Sequence, residues 1–208
     1  MNVVGISAFY HDSACCVIKD GHLIAAAQEE RFSRIKNDPG LPVKSFQYCL
    51  KESGLSIEEI DCIAYYENPV KKLSRQLWTG FDYLQEDLKE KMDPRRPEKA
   101  IRENLGFEGK IVFIDHHMSH AASSFLFSGF QDAAILTVDG VGEWATTTYS
   151  TGSQNKIEIF EEVEFPNSLG LLYSAITNYL GFKVNNGEYK VMGLAPFCWN
   201  TQSHESSP

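Results

Sequence analysis

Ile114-Asp115-His116-His117-Met118-Ser119-His120-Ala121-Ala122-Ser123-Ser124-Phe125 is the stretch that decides how this chain is read. It follows an apolar run, Lys110-Ile111-Val112-Phe113-Ile114, with the length and composition of a short buried strand, and the small and apolar residues after it favour a helix. Residues four apart on a helix lie above one another, so His116 and His120 project from one face while His117 turns away. Two imidazoles one turn apart can grip a single metal ion. The plainer alternative makes them polar residues at a helix start, with Asp115 as N-cap. Three of the chain's six histidines fall within five positions at ligand spacing, which favours the metal site.

Asp139 is the natural third ligand. It closes the apolar strand Ala133-Ala134-Ile135-Leu136-Thr137-Val138 and precedes Gly140-Val141-Gly142-Glu143. A carboxylate at a strand end before a glycine turn stands where α/β proteins collect ligands. Two nitrogens and one oxygen suit a borderline divalent metal such as iron, zinc or manganese, and the residue types do not choose among them.

With 208 residues the chain is expected to form one or two domains, and 43% hydrophobic content is ample for a packed core. A net charge of −9 argues against nucleic acid as a partner, because neutralising phosphates needs clustered Lys and Arg. The small basic group Arg95-Arg96-Lys99 is interleaved with acids and reads as a solvated loop. No apolar run reaches the roughly 20 residues of a membrane helix, and the opening Met1-Asn2-Val3-Val4-Gly5 does not read as a secretory signal. A cytoplasmic protein, without membrane association, is therefore expected. The five cysteines form no C-x-x-C pair and read as buried free thiols.

Along the chain, residues 3–9, 13–19 and 23–28 read as a three-stranded meander with a hairpin turn at Asp20-Gly21. The turn Tyr10-His11-Asp12-Ser13 is of the kind that can approach a phosphate through backbone N–H groups, although Asp and Ser also populate ordinary turns. The charged run from Glu29 to Gly40 reads mostly as solvated surface, with Lys36 able to enter a cleft on the His11 side. A helix over 42–54, a strand over 60–65, a long helix over 68–91 and a short one over 97–105 follow. The aromatics of the long helix read as core. A second meander over 133–139, 145–150 and 156–163 leads through Phe165-Pro166 into an apolar helix over 169–180. Both halves run strand, acidic turn, strand, hairpin, strand, proline, helix. Such a duplication implies two similar sheets facing one cleft, each with its first turn toward the ligand.

Five runs together resemble a known family: Gly5-Ile6-Ser7-Ala8-Phe9-Tyr10-His11-Asp12-Ser13-Ala14, Glu29 to Asp38, Asp115 to Ser123, Val138 to Trp144, and Gly187-Glu188-Tyr189-Lys190-Val191-Met192-Gly193-Leu194-Ala195-Pro196. The family is the O-carbamoyltransferases of nodulation-factor and antibiotic biosynthesis, and the resemblance covers residues 1 to about 197. It implies an α/β, actin-like fold of the sugar-kinase and ribonuclease H-like type. The first lobe would occupy 1–130 and be complete, the second would occupy 131–197 and be partial, and 198–208 would be a disordered or unrelated tail.

The resemblance also implies a reaction. Carbamoyl phosphate and ATP, as small-molecule substrates, yield a carbamoyl-adenylate whose carbamoyl group passes to an acceptor hydroxyl. By motif, His116, His120 and Asp139 correspond to the metal ligands, and His11 and Lys36 to catalytic groups at the transfer site. Asp12, Ser13, Gly140, Gly142 and Glu143 fall in phosphate- or nucleotide-facing loops, and Glu188 and Lys190 in the substrate region. Members of that family are much longer, so the chain is expected to be a truncated, weakly active or inactive fragment that associates through its incomplete second lobe. Two alternatives stand beside it: a tRNA-modifying or kinase-like enzyme of the same fold, and a non-catalytic metal-binding or interaction module.

Overall fold

The computed structural model describes residues 1–79 and 92–197. Strands β1 (Asn2–Ser7), β2 (Ala14–Lys19) and β3 (His22–Gln28) form the expected antiparallel meander. Its hairpin turns at Asp20 and Gly21, with φ of 51° and 82°, the paired left-handed backbone that a tight β-hairpin requires. Two parallel strands, β4 (Cys62–Tyr65) and β5 (Lys110–Phe113), extend this sheet on the β1 side to give the order β3-β2-β1-β4-β5. Val4, Ile6, Cys15 and Val17 alternate onto one face and are buried there with Phe46 and Cys49 of the Val43–Ser53 helix. Burial of each large side chain contributes about 1.5–3 kcal/mol. That helix stops at Gly54, whose φ of 66° lets its N–H reach back to the Leu50 and Lys51 carbonyls.

In order through the chain the helices are α1 (Glu30–Ser33), α2 (Val43–Ser53), α3 (Pro69–Trp78) and α4 (Arg96–Ala100), the last continuing as a wide turn over Ile101–Leu105. The run from Glu29 to Gly40 lies at the surface for most of its length, as expected, but its first residue turns inward. Glu29 is only 5% exposed, and its carboxylate accepts from Lys44 N at 3.1 Å and Ser45 N at 2.8 Å. It thereby satisfies the first turn of α2, whose own leading residue, Pro42, has no side-chain acceptor to offer. The expected long helix is described as far as Trp78, and its 80–91 part, with Phe81, Leu84 and Leu88, lies outside the described residues. Its aromatic Trp78 is not core: it is 63% exposed and meets Trp144 and Phe165 edge-on at 5.9 and 6.0 Å. Helical spacing shows which side chains share a face and says nothing of whether that face meets a sheet.

Helix α5 (His116–Phe125) leaves β5 and lies on a second antiparallel sheet, β6 (Asp132–Val138), β7 (Ala145–Ser153) and β8 (Lys156–Glu164), in the order β6-β7-β8. Ala121, Phe125 and Ile135 make a small core with Ala133 and Ile157. Alternate residues of β6 point the other way, so Leu136 and Val138 are exposed. Among the described residues β6 has no second neighbour, whereas β1, its counterpart in the first sheet, is flanked on both sides. Helix α6 (Leu169–Tyr179), capped by Ser168 Oγ, and α7 (Glu188–Leu194) follow. Helix α7 is an addition to the elements expected from the sequence. The architecture is the α/β, actin-like one expected, with two meanders bearing helices. No helix among the described residues is long and apolar enough to cross a membrane.

Candidate metal centre

The strand-to-helix junction at Asp115 aims the first turn of α5 at the end of β6. Asp115 occupies the N-cap position without capping, and its carboxylate instead takes Lys71 Nζ at 2.8 Å. The N-terminal backbone of α5 is held by Glu143, whose Oε1 accepts from His116 N at 3.3 Å and also from Asn68 N at the start of α3. One buried carboxylate thus joins two helix starts. Burial raises its pKa above the usual carboxylate range.

His116, His120 and Asp139 offer ligand atoms that all lie within 4.8 Å of one another. His116 Nε2 is 2.9 Å from Asp139 Oδ2, His120 Nε2 is 3.0 Å from His116 Nε2, and His120 Nε2 is 3.8 Å from Asp139 Oδ2. Metal–nitrogen and metal–oxygen bonds of about 2.0–2.2 Å in tetrahedral array put ligand atoms about 3.3–3.6 Å apart, so this triangle has the right size for one ion. The donor set fits as well, two imidazoles and a carboxylate. For Asp139, burial pushes the pKa up, but hydrogen bonds from His116, His120 and Gly140 N outweigh it and hold the carboxyl well below its usual range. His117 takes no part: its Nδ1 lies 2.6 Å from Thr137 Oγ1, which lies 2.6 Å from Thr148 Oγ1. Burial, with His116 beside it, lowers its pKa to about 4, so the ring is neutral and packs α5 onto the sheet.

Two glycines make room. A Cβ on Gly142 would sit 2.3 Å from His116 Cδ2, and one on Gly170 would sit 2.5 Å from the Asp139 carbonyl oxygen and Gly140 N. The Asp139 turn is further pinned by Ser168 Oγ, which donates within 3.1 Å of the Asp139 carbonyl and 2.6 Å of the Gly140 carbonyl.

The two first turns of the duplicated halves meet. Tyr10, His11 and Asp12 line a cavity of about 600 Å³ together with Asp139, Gly140 and Glu188. Asp12 Oδ2 is 2.7 Å from His11 Nδ1. The His11 turn is held from behind by the 38–39 backbone, through Phe9 N to Pro39 O at 2.7 Å and Ser13 N to Asp38 O at 2.9 Å. Lys36 does not line this cavity; its Nζ donates at 3.2 Å to Asn186, the neighbour of cavity-lining Asn185. Glu188 accepts from Asn185 N at 2.8 Å and Gly187 N at 3.1 Å, so it shapes that loop.

Not every expected residue is brought in. Ser13 is buried, with its N–H spent on Asp38, and Lys190 lies over the Phe182 and Tyr189 rings. Gly142 backs His116, and Glu143 faces backbone N–H groups instead of the cavity. Sequence reasoning missed Ser168, Asn186 and Gly170. Ser168 carried a signal, an N-cap residue directly before an apolar run. Asn186 carried none, because its pairing with Lys36 spans 150 residues.

An actin-like α/β chain with a His-His-Asp cluster at the meeting of two strand-end turns is the class that fold and site define. The chain matches the family described as Carbamoyltransferase N-terminus over residues 2–203, and it belongs to that family. The match runs a few residues past 197, where the resemblance was expected to stop. It is 46% identical over 212 residues to the Synechocystis protein sll1178, covering 94% of this chain and 34% of that protein. It is 38% identical over 196 residues to the nodulation protein NolNO of Sinorhizobium fredii, covering 92% of this chain and 28% of that protein. The chain therefore spans about a third of the length of these relatives. Among solved structures, YeaZ from Pseudomonas aeruginosa is similar with a TM-score of 0.46 at 10% identity, covering 80% of this chain and 68% of that one. The Acidaminococcus fermentans (R)-2-hydroxyglutaryl-CoA dehydratase component A has a TM-score of 0.40 at 12% identity, covering 97% and 70%.

Proposed function

We propose that this chain carries the transfer site of an O-carbamoyltransferase, where a carbamoyl group passes from a carbamoyl-adenylate, made from carbamoyl phosphate and ATP, to an acceptor hydroxyl. The carrying observation is that the ligand triangle of His116, His120 and Asp139 shares Asp139 with the cavity lined by His11 and Asp12. Family membership and the likeness to NolNO support the same reading.

His116, His120 and Asp139 would hold a divalent iron, zinc or manganese ion. Such an ion, when bound, supplies Lewis-acid polarisation of carbamoyl or phosphate oxygens. The remaining chemistry belongs to the chain. With His11 Nδ1–H donated to Asp12, Nε2 is left as the base that takes the acceptor's proton. Lys36, tied through Asn186 to the loop of cavity-lining Asn185, offsets negative charge on the phosphate of the AMP that leaves as the carbamoyl group is transferred. Glu188 acts as a positioning residue for the loop that holds Asn186.

The test has two readouts. Purified chain is expected to take up one equivalent of divalent metal, measured by elemental analysis after dialysis, and His120→Ala and Asp139→Asn to lose it. Labelled carbamoyl transfer to a hydroxylated acceptor, with ATP, carbamoyl phosphate and the C-terminal portion of a relative added in trans, is expected to fall about 10²–10⁴-fold in His11→Ala, the usual worth of a general base. Transfer at wild-type rates by His11→Ala would remove that residue from the mechanism, and metal-free wild-type chain would remove the centre.

A further inference from the structure

Glu30 opens the four-residue helix α1 and has no part in the reaction above. Its side chain is only 20% exposed, in a run that lies mostly at the surface, because its carboxylate turns back onto the loop that carries Lys36. Glu30 Oε2 accepts from Asn37 N at 2.9 Å, and the Glu30 carbonyl accepts from Arg34 N at 3.1 Å. One residue therefore closes the segment Ile35-Lys36 from both ends. Arg34 and Asn37 are where the chain reverses, with φ of 63° and 56°, a left-handed backbone that residues other than glycine enter rarely and that surrounding contacts must hold.

The closed loop leads to both groups of the transfer site. Lys36 Nζ donates to Asn186 Oδ1 at 3.2 Å, in the loop between α6 and α7. The residues directly after Asn37 support the His11 turn, since the Asp38 carbonyl accepts from Ser13 N at 2.9 Å and the Pro39 carbonyl from Phe9 N at 2.7 Å. Phe9 and Asp12 in that turn are themselves left-handed, at 69° and 52°, so its shape depends on what it leans against. The Asp38 carboxylate accepts from Gly40 N at 2.9 Å and fixes the supporting segment in turn.

We propose that Glu30 is a positioning residue for carbamoyl transfer, holding the Lys36 loop in register with the His11 turn so that ammonium and imidazole are presented together. An ionised acceptor binds a backbone N–H more strongly than a neutral one, which suits a carboxylate to this clamp. The neighbouring cation is incidental: Arg31 Nη2 stands 3.5 Å from the other carboxylate oxygen, Oε1, and its side chain is 70% exposed. The role rests on the carbamoyl-transfer reading for the duties of Lys36 and His11, whereas the chain of contacts from Glu30 to the His11 turn stands without it.

Amide hydrogen exchange of the whole chain, resolved at single residues by nuclear magnetic resonance, tests the clamp without any turnover. Glu30→Ala is expected to speed exchange about tenfold at Asn37, Phe9 and Ser13, the worth of a hydrogen bond to a charged group, while β1 and β4 keep their protection. Glu30→Gln, which retains an acceptor oxygen, is expected to restore most of it, and Arg31→Gln to change nothing. Turnover supplies the second readout. In the transfer assay described above, Glu30→Ala is expected to lower kcat about ten- to a hundredfold, as misplaced catalytic groups do, with KM for carbamoyl phosphate unchanged. Adding Lys36→Met to Glu30→Ala is expected to cost less than Lys36→Met alone, because the two residues act as one unit. Should Glu30→Ala not fold, Glu30→Asp, one methylene short of Asn37 N, carries the same comparisons. Unchanged exchange at Phe9 and Ser13 overturns the proposal, as does an equal loss of protection in β1 and β4, the mark of a residue that only stabilises the fold. Wild-type kcat in a variant whose exchange has changed overturns it too. No transfer even by wild type, beside the expected exchange pattern, overturns the carbamoyl-transfer reading and not the clamp.

Discussion

Gly142 is the residue on which the candidate centre leans most directly, although it offers no donor atom of its own. Its missing Cβ is the space the His116 ring occupies, so Gly142→Ala must push the imidazole off the triangle it forms with His120 and Asp139. A shift of that ring is expected to cost about tenfold or more in metal affinity, in the range of other changes that disorient a ligand. Metal titration by calorimetry with circular dichroism as a folding control measures this, and unchanged affinity would detach Gly142 from the site. Glu143 acts differently. Its removal in Glu143→Ala strips the acceptor from Asn68 N and His116 N, and an unsatisfied buried donor costs about 1–3 kcal/mol. Urea denaturation is expected to show a loss of that order; a loss below about 0.5 kcal/mol would mean that water replaces the carboxylate.

Among the elements, α5 carries both the site and the small core beneath it. His116 and His120 face the Asp139 turn, while Ala121 and Phe125 pack on the second sheet. Phe125 is 3% exposed in a core of few side chains, so Phe125→Ala is expected to cost about 3–5 kcal/mol. Because the first sheet has its own core, the damage should stay local. Hydrogen exchange is expected to show lost protection over β6–β8 and retained protection over β1 and β4. Uniform loss across both sheets would show that the two cores unfold as one unit.

For the whole molecule, the second sheet is the side with apolar surface to cover. Leu136 and Val138 on β6 and Leu169, Leu172, Ile176 and Tyr179 on α6 are exposed, and β6 has an open edge among the described residues. An exposed strand edge beside apolar side chains favours pairing with another chain. The chain is expected to associate as its concentration rises in sedimentation velocity, and Leu136→Lys to shift it toward monomer. A single monomeric species at every concentration, identical in the variant, would count against this.

Much of this architecture was legible because it rests on local pattern. Alternating apolar residues, Asp20-Gly21 and the stop at Gly54 specify strands, a hairpin and a helix end through backbone preferences that neighbours in sequence supply. The four-residue spacing of His116 and His120 put two ligands on one helix face for the same reason. The meeting of those rings with Asp139 belongs to the tertiary structure, because it depends on how α5 is seated on β6. So do the inward turn of Glu29, the exposure of Trp78 and the Lys36–Asn186 pairing. Periodicity records which side chains share a face; only packing decides what that face meets, and long-range contacts leave no mark in either partner's neighbourhood.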